Sequence, residues 1–125
     1  MTTRTIAVMG TFVTIDVDPE PGSAVDRAFS WFNEIEARCS RFDARSELVE
    51  LTRHIGEPVP VSAILFEAVR FALAVAEDSG GAFDPTVGAA MEARGFNRDH
   101  RSRMHVTNAP AGRVPNDGPV DYRDV

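Results

Sequence analysis

The stretch Ser79-Gly80-Gly81-Ala82-Phe83-Asp84-Pro85-Thr86-Val87-Gly88 sets the tightest limits on how this chain can fold. It follows an apolar-periodic segment. Gly80 and Gly81 supply the positive φ that stops a helix, and they let another group approach the backbone. Asp84-Pro85 reads as an N-cap followed by the first residue of a new helix, because the N–H that proline lacks would have no partner there. Two readings follow. A glycine turn feeding a helix N-terminus presents unpaired amides and a positive dipole end, a candidate cradle for phosphate or carboxylate. The plainer reading is a joint between two helices.

The segments around it are expected to serve as scaffold. Thr5 to Val17 reads as one strand, rich in β-branched residues, with Met9-Gly10-Thr11 as a bulge or close approach in its middle. Ser23 is placed to cap a helix running to about Cys39, with Asp26 in the capping-box position. Val25, Ala28, Phe29, Phe32, Ile35, Glu36 and Cys39 fall on one face of it, and only Glu36 breaks that apolar stripe. Trp31 lies off the stripe. Ser46 caps a short helix to about Thr52, and Ser62 caps a longer one whose buried stripe is Leu65, Phe66, Val69, Leu73 and Ala76. Between them, Gly56 to Val61 is a proline-punctuated connector or a short edge strand. Pro85 to about Arg94 should form the last helix, stopped by Gly95. Residues 96–119 read as a loop or poorly ordered segment, and Val120 to Val125 as the start of an alternating strand.

Composition excludes several function classes. The formal charge of −6 argues against a general nucleic-acid binder. All 13 basic residues are arginine, so no lysine nucleophile or Schiff base is available. The single cysteine, Cys39, cannot form an internal disulfide, and its place on the apolar stripe suits a buried structural thiol. His100 and His105 lack a second ligand pair, and no metal role is expected of them. No signal peptide or membrane-length apolar run is read from the chain, so the residues support a cytoplasmic protein. Phe42, between Arg41 and Arg45, has two readings: a stacking platform beside phosphate-binding guanidiniums, or a loop aromatic covering the edge of the core.

Several separated pieces together resemble the ApbE-like FAD:protein FMN transferases. They are Met9-Gly10-Thr11, then Cys39-Ser40-Arg41-Phe42-Asp43 with Ser46-Glu47-Leu48, then Gly80-Gly81-Ala82-Phe83-Asp84-Pro85-Thr86-Val87-Gly88, and Arg94-Gly95-Phe96. The Gly-Ala-Phe-Asp-Pro-Thr-Val-Gly piece is highly specific, and the others add weight through their order. Ala89 stands where many members have proline, and Arg94 where many have tryptophan.

The resemblance implies an α+β domain with helices packed on a largely antiparallel sheet, a single domain over residues 1–125 that corresponds to the family's N-terminal portion. It implies FAD as donor, transfer of its FMN half to a Thr or Ser of an acceptor flavoprotein, Mg²⁺ assistance and release of AMP. Met9, Phe42 (often tyrosine in the family), Ala82, Phe83 and Asp84 match positions that contact FAD, the last three largely through backbone and the Asp84 side chain. Thr86 and Gly88 are expected to shape the turn. The family's Asp-Leu-Gly-Ala-x-Ala-Lys-Gly motif and its acidic, threonine-bearing metal site would lie beyond Val125. This chain alone is therefore expected to bind FAD weakly and to lack transferase activity. A FAD-hydrolysing relative and a non-catalytic module that pairs with a separate C-terminal half are the alternatives. Many family members are exported and membrane-anchored.

Overall fold

A computed structural model describes residues 2–18, 22–96, 98–99 and 121–125. The expectations for His100, His105 and most of 96–119 fall outside them. The elements are strands β1 (Thr2–Val8) and β2 (Thr11–Val17), helices α1 (Gly22–Cys39), α2 (Glu47–Thr52), α3 (Ala63–Asp78) and α4 (Gly88–Ala93), and a 3-10 turn at Tyr122–Asp124. The architecture is α+β, with helices against a two-stranded antiparallel sheet.

The expected single strand from Thr5 to Val17 is in fact a hairpin. Its strands pair from Thr2 opposite Val17 to Val8 opposite Thr11, leaving Met9 and Gly10 as a two-residue connection. Both carry positive φ, 53° and 73°, the handedness that matches the right-handed twist of the flanking strands. Alternation then sorts the two faces. Ile6, Val8, Val13, Ile15 and Val17 share the more buried side, while Ala7 and Phe12 form an exposed outer pair. On the outer side Thr5 and Thr14 also join through their hydroxyls at 2.8 Å.

α1 is the element on which the others converge, touching β1, α2 and α3. Val25 and Phe29 provide its buried contacts, joined in the core by Val8, Val49, Leu65 and Ala76. Phe32 is half-buried, and Ile35 and Trp31 are exposed. The helix begins at Gly22, so Ser23 lies inside its first turn instead of capping it. Asp26, expected in a capping box, meets Arg4 on β1 at 2.6 Å, and the Arg4 guanidinium also covers the Phe29 ring at 5.3 Å. A tie between strand and helix has replaced a local cap.

α2 and α3 begin where their serines place them. The Ser46 hydroxyl accepts from Val49 N–H at 3.1 Å and donates to the Ser40 carbonyl at 2.6 Å, which satisfies it although it is buried. Ser62 accepts from Leu65 N–H at 3.2 Å. Its amide and hydroxyl both donate to the Glu47 carboxylate, tying the start of α3 to α2 and holding Glu47 below the ordinary carboxylate range, the hydroxyl contributing most. The 56–61 connector is irregular and forms no strand, as Pro58 and Pro60 lack amide donors. On α3 the expected stripe holds at Leu65 and Ala76, but Phe66 is 58% exposed. It sits about a quarter-turn round from the fully buried Leu65, off the face that faces the core.

Cys39 is partly buried, and burial raises its thiol pKa, as fits a structural cysteine. No helix among the described residues is long and apolar enough to cross a membrane.

Two consequences can be measured. Phe29→Ala is expected to cost about 3–5 kcal/mol in denaturant unfolding, and Phe32→Ala distinctly less because Phe32 is only half-buried. His54 places Nδ1 2.8 Å from Glu57 and Nε2 3.1 Å from Glu50, and these hydrogen bonds raise its pKa above the ordinary 6.5. A raised folded-state pKa stabilises the fold fully below about pH 6.5 and ceases to do so as the pH rises through the folded value. An NMR titration of the His54 ring should therefore show a midpoint above 6.5, and His54→Gln should lower the unfolding midpoint at pH 5.5 more than at pH 8.5.

Candidate functional site

The end of α3 shows how the Gly80-Gly81 pair works. Gly80 N–H reaches the Glu77 carbonyl at 3.0 Å and Gly81 N–H the Ala76 carbonyl at 2.8 Å, the two bonds of a Schellman closure, with φ of 61° and 86°. The chain then wraps on Ser79. Ala82 N–H donates to the Ser79 carbonyl at 3.2 Å and Phe83 N–H to its hydroxyl at 3.1 Å. At Asp84, one carboxylate oxygen accepts from Thr86 N–H at 2.9 Å and from the Thr86 hydroxyl at 2.6 Å.

These bonds correct the expected helix start. α4 begins at Gly88, and its N-cap residue is Val87, with no capping side chain. Asp84 caps a turn, because Thr86 offers it both an amide and a hydroxyl only two residues away. The picture of an anion cradle at a helix N-terminus falls with this: the amides of Ala82, Phe83 and Thr86 are bonded within the loop. What the turn presents outward is the half-exposed Phe83 ring and a fixed carboxylate. Gly95 does stop α4, with its N–H on the Glu92 carbonyl at 3.0 Å and Phe96 N–H on that of Met91 at 2.9 Å.

Asp84 has a second set of neighbours. The last described residues form a 3-10 turn instead of the expected strand, because the Asp121 and Asp124 carboxylates close a reciprocal capping box across it. That turn lies against the Gly81–Asp84 loop: a Cβ on Gly81 would stand 3.5 Å from the Tyr122 ring. The Asp84 pKa is lowered first by the Thr86 hydroxyl and then by the Thr86 amide, with further help from the Tyr122 amide and the Arg123 charge. Asp84 is therefore ionised and oriented at neutral pH. Nothing in the local sequence marks Tyr122 and Arg123 as its neighbours, since 35 or more residues separate them from the loop.

The other expected contact residues lie around the end of α1. Phe42 is half-buried, its ring stacked by the Arg41 guanidinium at 4.5 Å, while Arg45 turns to Asp43 at 3.4 Å. The two arginines thus divide, one onto the aromatic and one onto a carboxylate. Phe42 lines a cleft of about 370 Å³ together with Asn33, Glu36, Ser40, Asp43 and Asp99. Met9, 43% exposed, sits at the hairpin tip, and its N–H donates to Glu36 Oε2 at 2.6 Å. Glu36 thereby joins Met9 to the Phe42 cleft. The Ala82–Asp84 loop is outside the lining of that cleft. The five residues therefore form two groups, Met9 with Phe42 and Ala82 with Phe83 and Asp84. Glu36 was not among the expected site residues, although it is the one charged side chain on the α1 stripe, a signal legible in the sequence. Among the described residues no group of three His, Cys, Asp or Glu side chains is arranged to hold a metal ion.

No curated protein sequence matches the chain. The crystal structure of the ApbE protein from Thermotoga maritima MSB8 is similar to it, with a TM-score of 0.67 and 28% identity over 92% of this chain. The match spans only 35% of that protein. The family model for the ApbE family matches residues 9–124, from the hairpin tip to the turn that packs on Asp84. The chain belongs to the ApbE family.

Proposed function

We propose that this chain supplies flavin-holding surface to an FAD:protein FMN transferase. In that reaction an acceptor Thr or Ser hydroxyl attacks the FMN phosphorus of FAD. The new bond is a phosphoester, the diphosphate P–O bond breaks, and AMP leaves. Membership of the ApbE family supports a flavin-transferase type of activity. The observation that carries the assignment to this surface is the backbone of Met9. A methionine at φ 53° is strained by roughly 1–2 kcal/mol relative to the ordinary regions, whereas Asn or Gly would sit there with little cost. A two-residue hairpin selected for stability alone would favour Asn-Gly. Strain of this kind concentrates where a side chain is needed for binding, and the Met9 side chain is half-exposed at the hairpin tip.

Each residue has a physical part. Met9 offers a polarisable thioether for the edge of an aromatic ring system. Phe42, backed by Arg41, offers a ring edge and a guanidinium above it. The Ala82–Phe83 carbonyls and the fixed Asp84 carboxylate can accept hydrogen bonds from the N–H and hydroxyl groups of a flavin or its ribityl chain. Mg²⁺ would supply neutralisation of the diphosphate charge and stabilise the leaving AMP, although no group among the described residues is arranged to hold it. The acceptor flavoprotein belongs to this same proposal.

Titrating the ¹⁵N-labelled chain with millimolar FAD should shift the amide resonances of Met9, Phe42 and Ala82 to Asp84 together, with a smaller response to AMP alone. No shift at any of these five positions would remove the basis for the proposal. Met9→Asn should relax the turn, adding about 1 kcal/mol to unfolding stability, while weakening the FAD response at Phe42. If the variant is no more stable, strain at Met9 is not what holds this turn back.

A further inference from the structure

We propose that Glu36 is the positioning residue that locks the Met9 turn and the Phe42 loop into one flavin-binding unit. The inference rests on the flavin reading of Met9 and Phe42 given above. Glu36 lies one turn from the end of α1, on a face that is otherwise apolar, where a charged side chain is out of place unless it has a task. Its carboxylate oxygen Oε2 accepts the Met9 N–H at 2.6 Å, a charge-assisted bond across 27 residues of chain. Its backbone carbonyl accepts Ser40 N–H at 3.0 Å, and the Ser40 hydroxyl in turn accepts Phe42 N–H at 3.2 Å. A continuous hydrogen-bonded path therefore runs from Met9 through Glu36 and Ser40 to Phe42.

Both ends of that path need fixing. Met9 is held at a φ it would leave if free, and the loop carrying Phe42 is irregular. The same loop is anchored at its far side, where the buried Ser46 hydroxyl donates to the Ser40 carbonyl at 2.6 Å. Ser40 is thus tied to the α2 cap, and Glu36 extends that rigid block to the hairpin tip. The Glu36 side chain also lines the Phe42 cleft, so the pin stands between the two contact residues. Preorganising two contacts in this way lowers the ordering cost that a ligand would otherwise meet.

The test uses the full 125-residue chain and FAD as the probe, with three variants read by amide hydrogen exchange and by NMR titration. Glu36→Leu keeps side-chain bulk but removes the acceptor. It should speed Met9 amide exchange and weaken FAD binding by about 10-fold each, the effect of losing one hydrogen bond to a charged group. Glu36→Gln keeps an acceptor oxygen and should stay within about 3-fold of wild type in both. Glu36→Asp, which withdraws the carboxylate by one methylene, should fall between them and serves if the leucine variant does not fold. A Glu36→Leu or Glu36→Asp chain with unchanged Met9 exchange overturns the pin. Faster exchange with unchanged FAD affinity overturns the positioning role alone. Absence of any FAD response at Met9 and Phe42 in the wild-type chain overturns the flavin reading itself, and Glu36's part in it.

Discussion

The packing of α1 is the constraint on which the rest of this structure depends. Val25 and Phe29 bury one face of the helix, and the hairpin, α2 and α3 reach each other largely through it. A two-stranded hairpin has little stability alone, and a six-residue helix such as α2 has less. Both persist because they dock on α1, and polar contacts fix them in place: Arg4 to Asp26 ties the hairpin to α1, Ser46 to Ser40 ties α2 to the end of α1, and Glu47 to Ser62 joins α2 to α3. The described core is small, and the polar ties matter accordingly.

Those polar ties also organise the candidate site. At one end of α1, Glu36 and Ser40 connect the hairpin tip to the Phe42 loop. At the end of α3, Ser79 and Asp84 accept the loop amides that would otherwise face solvent, and the Thr86 hydroxyl and amide hold Asp84 ionised beside Tyr122 and Arg123. The two groups rest on different helices, so their relative position is set by how α1 packs on α3. A candidate site built in this way is sensitive to core substitutions well away from it.

The family match begins at Met9 and ends within the 3-10 turn, so it includes both groups of residues. The chain spans about a third of the solved relative's length, 35%, and several aromatic side chains, Phe12, Trp31, Phe66 and Phe71, remain exposed on its surface. The strained Met9 backbone is an independent physical sign that the hairpin tip is shaped for something besides folding.

The sequence by itself determined the local stops and starts. Ser46 and Ser62 cap helices, and Gly80 and Gly95 end them, because a hydroxyl beside free amides and a residue free to take positive φ act within a few residues. The motif pieces that mark the family were legible for the same reason. Only the tertiary structure decided which of two local outcomes won elsewhere. Met9-Gly10 became a hairpin connection because Val13, Ile15 and Val17 could pair back on β1 and cover α1. A thirteen-residue strand was already longer than most, but no local signal fixed the fold-back point. Asp84 took Thr86 instead of a helix, Asp26 took Arg4 instead of a cap, and Glu36 found Met9, since each carboxylate goes to the best donors within reach. Reach across 22 or 27 residues is set by packing, which local sequence does not contain.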